Sequence, residues 1–270
     1  MVRPAAIFIS RLLKLTLKIQ RYTIKERELK YKFMTKLDII LNKIEKLCKP
    51  VSIFLYGSRS RTDFLKRSDF EIGVLMKKSK YTGRSKIKGT IGEKGFNIYP
   101  FKYEDFIKGK LDTPFQKSIY LREIVEAGKT LRGKEIVENM KAPVIKVIDI
   151  IQDLRFNLGY AFASMHSYRN NDKFTASYEF YKSCMFGLRD LEILKLKKFV
   201  VPYDDIYKLS KKLKLNKDYK DLVYTAYKAR QILRPFQYKD IFTNISFSNE
   251  FIEPQIVNYF KKNGNKVLIK

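Results

Sequence analysis

Two short stretches of this sequence hold residue types that handle phosphate and divalent metal. Leu55-Tyr56-Gly57-Ser58-Arg59-Ser60-Arg61 runs out of an apolar segment into a glycine and a hydroxyl. Ten residues then separate Ser58 from Asp69-Phe70-Glu71, which opens a second apolar run ending at Met76. A glycine at a strand-to-helix turn lets a backbone N–H approach a phosphate with no Cβ in the way, and a helix N-terminus adds partial positive charge. Ser58 can donate its hydroxyl to the same phosphate, and Arg59 and Arg61 are candidates for the outer phosphates. Asp69 and Glu71 stand at i and i+2, so on a strand both carboxylates leave one face. Paired in that way they can hold two Mg²⁺ ions between protein and triphosphate. The bland reading is a Gly-Ser hairpin turn, a strand with two solvated acids and an ordinary basic surface. Ion pairing apart, it gives no reason for two acids to stand amid so much positive charge.

For these groups to converge, residues 51–56 and 69–76 must be neighbouring strands of one mixed sheet, with the 57–58 turn and both carboxylates facing one cleft. Both segments read as buried strands, and residues 96–101 as a third. Upstream, Leu37, Ile40, Leu41, Ile44 and Leu47 follow helical spacing until Lys49-Pro50 stops the helix. Residues 77–94 carry seven Lys or Arg, one acid and several glycines, which reads as a mobile basic loop or hairpin. Short helices are expected over 103–107 and 114–126. From about Val137 the character changes, and Val147, Ile150, Ile151, Leu154, Leu158, Ala161, Phe162 and Met165 form an apolar stripe at three- and four-residue spacing. Further helices are expected over 173–197, 203–213 and 217–233, which suggests a bundle. The expected class is therefore α+β: a small mixed-sheet domain over 34–136, then an α-helical bundle over 137–237. A basic extension, 1–33, precedes them, and a less regular tail, 238–270, follows. The extension is read as an arm for membrane or nucleic acid, or as an upstream addition from an over-called start codon.

The Gly-Ser turn followed at this interval by Asp-x-Glu resembles the signature of the DNA polymerase β nucleotidyltransferase superfamily, in its minimal and kanamycin-nucleotidyltransferase-like branches. Resemblance of varying quality covers about residues 35–235, because a helical bundle after the catalytic domain is also what kanamycin-type members show. It implies that Gly57 and Ser58 grip the triphosphate of an NTP, ATP above all, and that Asp69 and Glu71 bind two Mg²⁺. Many members place a third carboxylate on the strand that here holds Phe96-Asn97-Ile98-Tyr99, and Asn97 cannot act as a base at neutral pH. Kanamycin-type enzymes take a base from the first long helix of the second domain. The matching stretch here is Ile151-Gln152-Asp153-Leu154, so Asp153 is the candidate base, against a plain solvated helix acid, with Glu93 a weaker one. His166, the single histidine, reads as a surface or packing residue. It does not make the Arg, four to six residues, His pattern of helical HEPN nucleases, which the bundle also resembles.

The chain carries 56 Lys and Arg against 28 Asp and Glu, a formal charge of +28. So large an excess points to a polyanionic partner, although a Lys-rich proteome or a solvated surface would also produce it. Residues 141–270 alone hold 24 basic side chains against 13 acidic. The expected activity is transfer of a nucleoside monophosphate from an NTP to an acceptor hydroxyl, with RNA, tRNA included, favoured over a polycationic aminoglycoside. A partner protein as acceptor, a homodimer, and an inactive nucleotidyltransferase fold that only binds nucleic acid stay open. Cys48 and Cys184 are too few for a disulfide framework and lack partners at metal-ligand spacing. No window approaches the roughly 18 apolar residues a membrane span needs, and Ala5 to Ser10 is too short for a signal-peptide core. A cytoplasmic protein is expected.

Overall fold

A computed structural model describes residues 36–61, 63–66, 68–232 and 236–270; the 1–33 extension lies outside them. The apolar spacing upstream of Pro50 forms helix α1, 36–48, burying Ile40, Leu41, Ile44 and Cys48. Strand β1 (Ser52–Tyr56) follows, then β2 (Phe70–Met76), β3 (Phe96–Lys102) and β4 (Lys129–Gly133), in sheet order β3-β2-β1-β4. The sheet is mixed, because β1 pairs antiparallel with β2 and β4 while β2 and β3 run parallel. Strand β4 was not expected, since Lys-Thr-Leu-Arg-Gly has no buried residue to mark it as a strand.

Side-chain alternation gives the sheet two distinct faces. Ile53, Ile72, Val74 and Ile98 belong to one cluster with α1. Phe54, Tyr56, Leu75 and Phe101 belong to another, with Phe106 of helix α3 (Tyr103–Phe106) and Leu121 and Ile124 of helix α4 (Lys117–Ala127). Residues 77–94, expected as a mobile loop or hairpin, instead hold helix α2 (Arg84–Ile91) after a 3-10 turn at Lys78–Lys80. Ile87 and Ile91, one turn apart, pin α2 to the first face. Two apolar residues among lysines and glycines are too few to declare that periodicity in sequence.

Helices α5 (Val147–Arg169), α6 (Lys173–Leu196), α7 (Tyr203–Ser210) and α8 (Lys217–Ile232) match the expected set. They share one large apolar core with the residues that follow. The segment after Tyr238, expected as an irregular tail, is ordered: α9 (Tyr238–Ser246), a π-helical segment (Phe247–Ile252) and α10 (Glu253–Asn263) bury Ile241, Phe247, Ile252 and Ile256. The chain closes with β6 (Val267–Ile269), which pairs antiparallel with β5 (Ile145–Lys146) in front of α5. The π segment interrupts the 3.6-residue period there, which hid the element in the sequence. No described helix is long and apolar enough to cross a membrane.

Candidate active site

In the antiparallel register of β1 and β2, Tyr56 stands opposite Glu71, and the chain leaves β1 at Gly57 into a 3-10 turn, Gly57–Ser60. Gly57 has φ +68°, and a Cβ there would lie 1.6 Å from Oε2 of Glu71. The left-handed backbone conformation therefore favours glycine at this position, and a Cβ there would displace the Glu71 carboxylate. The Ser60 hydroxyl donates to the Gly57 carbonyl at 2.8 Å and closes the turn.

Glu71 pairs in register with Asn97 of β3, and the Asn97 side-chain amide donates to Oδ2 of Asp69 at 3.2 Å. Asn97, at the strand position where the resemblance implies a third carboxylate, thus steadies Asp69. Burial raises the Glu71 pKa; Lys182 and Arg61 pull it back, while Glu123 and Asp69 push it further up.

Gly57, Ser58, Arg61, Asp69, Glu71 and Asp153 all line one cleft of about 650 Å³ between the sheet and the helices. Arg59 does not. Its guanidinium donates to the carbonyls of Ser68 and Lys66, each at 2.8 Å, and lies against the Phe64 and Phe70 rings. In this arrangement Arg59 braces the loop between the two motifs. Arg61 ties the sheet to the helices by pairing with buried Asp63 at 3.2 Å and donating to the Val201 carbonyl at 3.2 Å. Asp63 also accepts from the Tyr203 backbone N–H at 2.7 Å and pairs with Arg230 at 3.1 Å.

Across the cleft, α4 and α5 present a second group of charges. Gln116 caps α4 by accepting from the Ile119 N–H at 2.8 Å and donates to Asp149 at 2.7 Å, joining the starts of the two helices. Further along them stand Glu123 and Asp153, with Arg189 of α6 bonded to both. Asp153 is 4% exposed, and its Oδ2 also accepts from Asn157 at 2.9 Å. Burial pushes its pKa up to about 6, with Arg189 opposing and Glu123 reinforcing the rise. Asp153 is thus held in place by hydrogen bonds, unlike the solvated helix acid of the plain reading. Glu93, the weaker candidate base, pairs with Lys36 at 2.7 Å and does not line the cleft. His166 is exposed and contacts Asn170 at 2.9 Å, clear of the cleft lining.

Glu123, Lys182, Arg189 and Arg230 line the cleft as well, and the sequence did not announce them. Each sits in a helix, α4, α6 or α8, that was expected from the sequence with no functional side chain singled out. One turn before Glu123, Tyr120 donates its hydroxyl to that of Tyr56 beside Gly57, at 3.0 Å, a contact between residues 64 positions apart that local spacing does not signal.

Among the described residues, no group of three or more His, Cys, Asp and Glu converges as a metal site. Asp69 and Glu71 offer hard oxygen donors beside a cradle that a Cβ would fill. That donor set fits Mg²⁺ shared with a triphosphate, not a cage closed by protein alone.

The fold is similar to that of spectinomycin adenyltransferase AAD(9) from Enterococcus faecialis, solved with ATP and spectinomycin. The TM-score is 0.52 at 13% identity, over 84% of this chain and 99% of that one. At that identity the likeness establishes the α+β fold, a mixed sheet followed by a helical region. No protein-family model matches the chain, and no curated protein matches it in sequence.

Proposed function

We propose that this protein is a Mg²⁺-dependent nucleotidyltransferase that moves a nucleoside monophosphate, AMP from ATP above all, onto an acceptor hydroxyl and releases pyrophosphate. The observation that carries the reading is the convergence in one cleft of the Gly57-Ser58 turn, the Asp69 and Glu71 pair, and a hydrogen-bonded carboxylate, Asp153, from the opposite wall. Similarity in fold to an adenyltransferase solved with ATP supports the same reaction class.

The Gly57-Ser58 backbone and hydroxyl receive the phosphates, and Arg61 adds a fixed positive charge beside them. Asp69 and Glu71 would hold Mg²⁺, which when bound neutralises phosphate charge and aligns the attack. Asp153, oriented by Arg189 and Asn157, takes the proton of the acceptor hydroxyl. The freed oxygen forms a bond to the α-phosphorus as the bond to the bridging oxygen breaks, and pyrophosphate leaves with that electron pair.

For the acceptor, the charge of +28 favours RNA. A second class, a small polyhydroxylated amine of the aminoglycoside kind, is favoured by the similarity in fold to an adenyltransferase solved with spectinomycin. Incubation with Mg²⁺ and ATP labelled at the α-phosphate, in the presence of RNA or of aminocyclitols, tests both. Label should move to one acceptor pool with stoichiometric pyrophosphate, and Asp69→Ala and Glu71→Ala should each abolish the transfer while keeping the wild-type melting temperature. A wild-type protein that binds no NTP in Mg²⁺ would end the reading.

A further inference from the structure

The crossover from β2 to β3 brings seven basic side chains to the surface, all exposed, against one acid. That acid, Glu93, is already paired with Lys36 at 2.7 Å and neutralises none of them. Among the described residues, no carboxylate forms an ion pair with any of the seven. Helix α2 carries three of them, Arg84, Lys86 and Lys88, and holds them in place, because Ile87 and Ile91 are buried and leave only polar and basic residues outward.

Aromatic rings extend this surface to the cleft. Strand β3 is the sheet edge, and its Tyr99 lines the cleft. Arg84, at the start of α2, reaches round that edge to lie 4.3 Å from the centre of the Tyr99 ring. Tyr81 is 38% exposed, with Lys102 over its ring at 5.1 Å. Cations interleaved with accessible ring faces suit a single strand, whose phosphates need charge and whose unpaired bases stack. A helix that binds membrane would turn an apolar stripe outward, and here that stripe faces the sheet.

We propose that this crossover is a docking surface for single-stranded RNA, leading the strand past Arg84 and Tyr99 into the cleft. The inference deepens the transferase reading by naming the polymer that reaches the same site, and its test separates the two. Binding of a fluorescent oligouridylate of about 20 nucleotides, longer than one such site, is followed by anisotropy across a salt series. The wild type should show a log-log slope of several multiples of about −0.7, one for each phosphate neutralised. Substituting Lys77, Lys78, Lys80, Lys86, Lys88 and Lys94 together with Gln should weaken binding by more than about tenfold and flatten the slope. The melting temperature and the affinity for ATP in Mg²⁺ should stay as in the wild type. Unchanged oligouridylate binding by the variant would overturn the proposal. So would a charge-dependent preference for phosphatidylserine vesicles, or tighter binding of the matching oligodeoxyuridylate. A wild type that binds the RNA in this manner and binds no ATP would sink the transferase reading and leave this surface standing.

Discussion

Gly57 lies against Glu71 so closely that the space a Cβ would take at the turn is already filled by the carboxylate, 1.6 Å from Oε2. One contact thus joins the Gly57–Ser60 turn to strand β2. Gly57→Ala has to move either the turn, held at φ +68°, or the Glu71 side chain. The expected result is a loss of ATP affinity in Mg²⁺ of more than about tenfold, with a stability cost of about 1–3 kcal/mol for alanine in that backbone region. Calorimetric titration and chemical denaturation measure the two effects separately. Wild-type ATP binding by the variant would show that the turn does not receive the phosphates.

Asn97 gives a second test of the same corner. Its amide donates to Asp69, so Asn97→Asp replaces a donor with a like charge and adds a third carboxylate beside the pair. Without metal the variant should melt below the wild type through repulsion. Mg²⁺ with ATP should stabilise it more than it stabilises the wild type, since another hard oxygen donor becomes available. Equal thermal shifts for the two proteins would place the cation away from Asp69.

How much of this was legible in sequence follows from where the determining interactions lie. The turn, both carboxylates and the strands that carry them are local: apolar runs marked the strands, the i and i+2 placement put Asp69 and Glu71 on one face, and the register Tyr56↔Glu71 then brought the motifs together. Helix α5 declared itself by apolar spacing, and α6 to α8 fall within or close to the ranges expected for them. What stayed hidden depends on contacts distant in the chain. The bonds of Arg59 to the Ser68 and Lys66 carbonyls, which keep it out of the cleft lining, could not be read from its place beside Ser58. Glu123 acquires its meaning only from Arg189, 66 positions further on. Helix α2 is fixed by two isoleucines finding the sheet, and the segment after Tyr238 by a core that spans most of the helical region.

Arg189 is 2% exposed and bonded to both Glu123 and Asp153. Arg189→Met keeps much of the volume and leaves two carboxylates without their cation. Breaking a buried pair from one side typically costs about 3–5 kcal/mol, so the variant should unfold at markedly lower denaturant. The triple variant Arg189→Met, Glu123→Gln, Asp153→Asn removes the stranded charges and should recover most of that loss. Failure to recover would mean that Arg189 acts mainly through its packing on the Phe186 and Phe199 rings.

The catalytic assignment of Asp153 has a pH signature. Its folded pKa is raised to about 6, and a base must be unprotonated to accept the acceptor's proton. Turnover should therefore fall as pH drops through about 6. Asp153→Asn should lower turnover by about two to four orders of magnitude, remove that acid limb and leave ATP affinity nearly unchanged. An acid limb that persists unaltered in the variant assigns the base elsewhere, with Glu123 next in line on the same wall.

Glu192 makes a prediction about stability alone. It is completely buried in α6, neither carboxylate oxygen has a hydrogen-bond partner, and burial raises its pKa from 4.5 to about 9, with Arg189 opposing the rise. Between those two values the folded chain keeps the proton and the unfolded chain has released it. The unfolded state then binds fewer protons, so the stability present below about pH 4.5 is lost as pH rises towards 9, by up to about 1.4 kcal/mol per unit. Asp190 beside it, raised in the same direction by burial, adds to the slope. Glu192→Gln is neutral at every pH and close in shape, so it should flatten the decline and raise the denaturation midpoint at about pH 8 far more than at about pH 5. A variant with the same pH slope as the wild type would mean that Glu192 is ionised in the folded protein, held by a cation that reaches it.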